Sequence, residues 1–202
     1  MIKTEEQVLT KEKEYLDKDI IRRRRKLEKS RYSCIQSGIY AGEELIVFSE
    51  VELFDGAVKI FLPETFIDMP EKIRNVKYSG KNSPSVIKMK EGGEIVFSFQ
   101  MVEKSTDDSN LEEMLKKFQR ILKKSQPAAI LLDKGIEKRN RKNIAWMNYK
   151  GYGIDQPLYQ QLFIAPVREN MMLGMFHCPF DKSEAWKPVI KEVIKTIYTE
   201  GV

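Results

Sequence analysis

The chain has 202 residues, of which 42% are hydrophobic and 32% charged, and its formal net charge is +5. That length accommodates one well-buried core with an appendage and leaves little room for two full domains. No apolar run follows Met1, and none reaches the roughly 18 residues that span a bilayer, so neither a secretory leader nor a membrane partner is expected and the expected compartment is the cytoplasm.

The charge is unevenly placed. Residues 1–31 hold 11 Lys/Arg against 7 Asp/Glu, whereas residues 32–202 hold 24 against 23. The expected division is therefore a charged helical extension over 1–31 and a near-neutral folded body over 32–202, and any attraction for a polyanion has to come from the extension. The two cysteines, Cys34 and Cys178, fit a reducing compartment in which both stay thiols, with one disulfide between them left open.

Thr4 to about Lys29 reads as one long helix, with Thr4 as N-cap and Glu5 and Glu6 in the first turn. Leu9, Leu16, Ile20 and Leu27 form an a/d-like stripe that Lys13 and Arg23 interrupt, so the helix is expected to dock on the body or pair loosely, a weak homodimer included. The run Arg22, Arg23, Arg24, Arg25 and Lys26 points all round the axis and cannot lie flat on one phosphate track.

From Glu50 the pattern changes to strands. Val51–Phe54 and Ala57–Leu62 flank Asp55-Gly56, a two-residue hairpin signal that calls for positive φ at both central positions, and Pro63 ends the second strand. A short helix is expected over 68–75, and the stretch from Ser79 to Gly93 reads as a long loop in which exposed Val86, Ile87 or Met89 would mark an interface. Ile95, Phe97, Phe99 and Met101 then alternate with more polar neighbours, placing one face of a strand on a core.

Ser109 and Glu112 have the spacing of a capping box, and Leu111, Met114, Leu115, Phe118, Ile121 and Leu122 form the helical stripe behind it. Further strands are expected over 127–132, 142–149, 158–165 and 171–178, joined by short loops that favour antiparallel pairing. The last helix packs through Trp186, Val189, Ile190, Val193, Ile194 and Ile197, with Pro188 in its first turn or two.

Little here points to chemistry. His177 is the sole histidine, and its neighbour Cys178 points to the opposite face of a strand, so the two do not form a dyad. One His and two distant Cys fall short of a zinc ligand set, and no glycine-rich nucleotide motif occurs, so no metal and no cofactor is expected. The carboxylate pairs Asp107-Asp108 and Glu112-Glu113 sit at a helix start, where capping and the helix dipole account for them.

The segment from Lys150 to Pro157, bracketed by Tyr149 and Tyr159 and containing Tyr152 and Asp155, is the better recognition candidate, because tyrosines in a Gly-containing loop offer amphipathic contact area at low entropic cost. The alternative is an ordinary hairpin loop with its tyrosines packed inward. Arg22–Arg25 form a second candidate, and Lys134, Lys138, Arg139, Arg141 and Lys142 another basic run. Both runs have acids close by in sequence and lack aromatics, which argues against stacking on single-stranded nucleic acid.

A hairpin ending in Leu62-Pro63, a helix at 109–124, a run of antiparallel strands and a C-terminal helix opening on Trp186-Lys187-Pro188 resemble the PsbP/Mog superfamily over about residues 48–198. The resemblance implies an α+β fold, a three-layer α/β/α sandwich with a central antiparallel sheet, here with an N-terminal helical extension. That superfamily includes an extrinsic photosystem II subunit, a eukaryotic Ran-binding protein and bacterial domains of unknown function, so it carries no functional residue across. The expected function is that of a non-enzymatic protein-binding or adaptor module. Polyanion binding through the N-terminal helix, or an enzyme of unrecognised type, are the alternatives.

Overall fold

The computed structural model describes residues 5–78, 80, 83–103, 110–138 and 143–199, with side chains from Tyr15 onward. In chain order the elements are α1 (Glu5–Ser30), β1 (Ser33–Cys34), β2 (Gly38–Ala41), β3 (Glu44–Ile46), β4 (Phe48–Leu53), β5 (Val58–Pro63), β6 (Ile67–Asp68), α2 (Glu71–Lys77), β7 (Val86–Met89), β8 (Val96–Glu103), α3 (Leu111–Ser125), β9 (Ile130–Glu137), β10 (Ile144–Tyr152), β11 (Pro157–Val167), β12 (Asn170–Pro179), α4 (Ser183–Lys195) and β13 (Tyr198–Thr199).

Seven strands form the central sheet in the order β6-β7-β8-β12-β11-β10-β9, every neighbouring pair antiparallel. Two smaller antiparallel sheets, β1-β2-β3 and β13-β5-β4, lie on the side of α4. The hairpin at Asp55-Gly56 closes as its sequence requires. Asp55 and Gly56 have φ of 54° and 82°, and the Ala57 N–H donates to the Phe54 carbonyl at 3.1 Å.

The α3 stripe buries Met114, Leu115 and Leu122 against Ala145, Met147, Leu162, Ile164 and Met171 on one face of the sheet. Its cap is Asn110, whose side chain accepts from the Glu112 N–H at 2.9 Å. Ser109, the expected cap, lies outside the described residues. Ile121, expected on the buried stripe, is 49% exposed because it sits at the rim of the packed face.

On the other face α4 buries Trp186, Val189, Ile190, Val193 and Ile194 against Phe97, Phe163, Phe176 and Cys178. The same helix is covered from outside by Ile39, Ile46, Ile60 and Leu62 of the small sheets. Thr196 ties its end to β5, accepting from the Phe61 N–H at 2.9 Å and donating to the Val193 carbonyl. The result is the expected α/β/α layering with its core on the α4 side. Phe163 packs over Gly174, where a Cβ would fall 2.0 Å from its ring. Trp146 covers Gly135 in the same way. A glycine opposite an aromatic ring lets the ring lie flat on the neighbouring strand.

Several expectations change. Val86, Ile87 and Met89 are not loop residues: they form β7, and Ile87 and Met89 are buried at 4% and 3% exposure because β8 needs a hydrogen-bonded neighbour on that side. The strand expected at 127–132 is displaced to Ile130–Glu137, since α3 and its turn run on to Gln126. Part of the second basic run therefore lies on a strand, and Lys134 donates to Gln119 of α3 at 2.9 Å. Residues 139–142 of that run are outside the described residues. The strands β1–β3 were not anticipated from the sequence. Strand β8 is covered on both faces, with Val96 and Ser98 as buried as Phe97 and Phe99.

Candidate functional site

The recognition segment around Lys150–Pro157 is mostly strand. β10 continues to Tyr152 and β11 resumes at Pro157, leaving a tip of residues 153–156 in which the Gly153 N–H donates to the Gln156 carbonyl at 2.9 Å. With Tyr152 opposite Pro157, Lys150 stands opposite Tyr159 and Tyr149 opposite Gln160. Tyr149 and Tyr159 therefore point to opposite faces of the sheet, and both are buried, at 3% and 1% exposure. This corrects their assignment as surface contacts.

Tyr149 packs in the α3 cluster with its hydroxyl 3.9 Å from the Met175 sulfur, and burial pushes its phenol up to about 12. Tyr159 lies in the α4 cluster and donates to Gln161 Oε1 at 2.8 Å. Burial also raises the Tyr159 phenol, with a hydrogen bond from Asn148 pulling the other way. Asn148 Oδ1 is buried and finds no hydrogen-bond partner among the described residues. Lys187 Nζ stands 5.7 Å from the Tyr159 ring centroid. Tyr159 and Gln161 are hydrogen-bonded inside the core beside Asn148, and a buried polar pair of this kind favours one packing.

Tyr152, Ile154 and Asp155 remain at the surface. Tyr152 is 54% exposed, Ile154 fully so, and Lys150 Nζ sits 5.8 Å from the Tyr152 ring and 4.7 Å from that of Phe180. The hairpin tip is a small apolar patch with one cation behind it.

His177 lies half-buried on β12 opposite Gln160 and Val96. Burial, with the Lys77 charge adding to it, lowers its imidazole to about 4, so it is neutral near pH 7. Cys178 faces the other way, is fully buried, and has its thiol pushed up to about 12 by burial. Cys34 is a half-buried free thiol 3.3 Å from the Ser37 hydroxyl, and hydrogen bonds from Ser37 lower its pKa. No group of three His, Cys, Asp or Glu among the described residues is placed to hold a metal ion.

Among the described residues, five exposed large apolar side chains fall on α1. Its described side chains are exposed from Tyr15 to Glu28, Arg22–Arg25 included, and Tyr15, Leu16, Ile20, Ile21 and Leu27 are 80%, 63%, 45%, 51% and 65% exposed. The helix is held at its last turn. Lys29 Nζ donates to the Gly42 carbonyl at 2.9 Å, pairs with Glu43 at 2.6 Å and stands 5.2 Å from the Tyr40 ring. Tyr32 meets Tyr40 edge-to-face at 5.6 Å. The sequence showed the interrupted stripe on α1 but not that the body leaves it uncovered. No helix among the described residues is long and apolar enough to cross a membrane.

No protein-family model matches the sequence, and neither does any curated protein. Among solved structures, cyanobacterial PsbP (CyanoP) from Synechocystis sp. PCC 6803 matches with a TM-score of 0.58 at 12% identity, over 79% of this chain and 96% of that one. A protein from Bacteroides thetaiotaomicron matches with a TM-score of 0.51 at 11% identity, over 75% of this chain and 48% of that one. At such identities the likeness concerns the fold alone, and the antiparallel sheet layered between α3 and α4 is a fold similar to that of cyanobacterial PsbP.

Proposed function

We propose that this protein is a non-enzymatic, cytoplasmic protein-binding module that makes its contacts through α1. The observation that carries the proposal is the helix itself, anchored at Lys29 and presenting Leu16, Ile20, Ile21 and Leu27 to solvent. Exposed apolar side chains on one element, rimmed by charge, mark an interaction surface. Placement in the wider PsbP/Mog grouping, whose members bind unrelated partners, belongs to the same proposal. The non-enzymatic reading is supported by the setting of His177 and Tyr159, whose functional groups are desolvated within the packed body.

The test uses the full chain with Leu16, Ile20, Ile21 and Leu27 replaced by Gln. These residues contribute no core contacts, so the melting temperature stays close to wild type while binding through the helix is lost. Binding that is unchanged by the four replacements would overturn the proposal. Tyr152 and Ile154 at the hairpin tip offer a smaller second contact, tested by Tyr152→Ala.

The exposure of Arg22–Arg25 favours polyanion binding as a second reading. With about four phosphates engaged, log K falls against log salt with a slope of roughly −3.6 on duplex DNA. Replacing the four arginines by Gln removes both the binding and the slope; binding that survives sinks this reading.

A further inference from the structure

α1 is 26 residues long, about 39 Å at the α-helical rise, and its charge is divided along its length. Residues 5–19 carry six carboxylates against three lysines, a net of −3. Residues 20–30 carry six Lys/Arg against Glu28, a net of +5. Leu16, Ile20 and Leu27 fall on one stripe that crosses this division, and Tyr15, Leu16, Asp19, Ile20 and Arg23 line a shallow hollow on it. Whatever covers the stripe has to present apolar side chains along its middle, bases to its first half and acids to its second. The α1 helix of another copy, run in the opposite direction, offers apolar residues to the stripe and brings its Arg24 and Lys26 beside Asp17 and Asp19. Run in the same direction it would set the two +5 halves side by side and bring the two bodies to the same end.

We propose that a second copy of this chain covers α1, the two helices running antiparallel so that Asp17 and Asp19 of each lie along Arg24 and Lys26 of the other. This rests on the reading of α1 as a contact element and names its partner. Heptad spacing puts Leu16 and Arg23 at d, Ile20 and Leu27 at a, with Asp17 and Arg24 at e and Asp19 and Lys26 at g. In the antiparallel register that sets Leu16 against Leu27 of the second copy, Asp17 meets its Arg24 and Asp19 meets its Lys26. Two-fold symmetry makes each pair twice. Arg23, the interruption in the stripe, is held 3.9 Å from its own Asp19 and lays its aliphatic stem over Ile20 of the copy. The exposed tethering turn at Lys29 leaves the two bodies at opposite ends of the paired helices.

Sedimentation equilibrium of the full chain over a range of concentrations tests the pairing. The expected result is a monomer–dimer equilibrium whose dissociation constant rises about tenfold between low salt and about 0.5 M salt, as four exposed ion pairs are screened. The chain carrying Asp17→Lys with Asp19→Lys, and the chain carrying Arg24→Glu with Lys26→Glu, are each monomeric alone and form a heterodimer when mixed. Orientation is read in a Cys34→Ser background. Leu16→Cys and Leu27→Cys chains cross-link to each other and not to themselves.

A chain that stays monomeric throughout, or one in which Leu16→Cys cross-links mainly to itself, overturns the proposal. If the monomeric chain still binds a different protein through Leu16, Ile20 and Leu27, the dimer is refuted and the contact reading stands. If it binds nothing through them, both fall.

Discussion

Trp186→Ala tests the α4 layer directly. Trp186 is 3% exposed, with ring centroids of Phe66 and Phe176 at 5.9 Å and 5.7 Å. Neither neighbour can follow a truncated side chain inward: Phe176 is fully buried under the sheet, and Phe66 is held against Phe97 at 5.8 Å. The cavity therefore stays largely open, and the expected loss is about 4 kcal/mol, within the range of about 3–5 for such truncations. With an m-value of about 2.5 kcal/mol per molar urea, the midpoint falls by about 1.5 M at unchanged m. Circular dichroism follows the unfolding, and Trp146 remains as a fluorescence reporter on β10. Because total stability lies at about 5–15 kcal/mol, Trp186→Phe serves as a milder companion that keeps a ring in place. A midpoint shift under about 0.3 M for the Ala variant, well below 1 kcal/mol at that m-value, would mean that α4 does not pack on this sheet as described.

Gly174→Ala places a methyl 2.0 Å from the buried Phe163 ring and should destabilise by about 1–3 kcal/mol, whereas Gly80→Ala, with nothing within 4 Å among the described residues, should leave the urea midpoint unmoved. For His177, the folded-state pKa of about 4 lies below the ordinary 6.5, so the unfolded chain binds the extra proton first as pH falls. Its contribution is complete above pH 6.5 and is lost as pH drops toward 4, by up to about 3 kcal/mol. Urea midpoints measured across that window should slope less in His177→Gln; equal slopes would refute the assignment. Tyr159→Phe strips Gln161 of its 2.8 Å partner in a buried site and should cost about 1–2 kcal/mol, while Tyr152→Ala, at the exposed tip, should change stability by less than about 0.5 kcal/mol. Equal losses from the two tyrosine changes would contradict their placement.

Local chemistry was sufficient for the elements whose signals are short-range. Asp55-Gly56 demands a turn with positive φ whatever surrounds it, and the apolar spacing from Trp186 to Ile194 makes a helix with one buried face in any context. The alternation from Phe97 to Met101 and the apolar strands β10–β12 follow from the same periodicities. Tertiary structure decided the rest. Ile87 and Met89 sit in a stretch that reads as loop, and they are strand and buried only because β8 offers an open edge. Tyr149 and Tyr159 bracket the same hairpin, but their faces depend on where it closes. A four-residue tip between Tyr152 and Pro157 makes the register odd and sends the two side chains to opposite cores, which no composition of the segment determines. The interrupted stripe of α1 is equally compatible with a docked helix and a projecting one. From Tyr15 onward it projects because the small sheets already cover α4 and α3 already covers the other face of the main sheet, and among the described side chains its tie to the body is at the last turn, through Lys29.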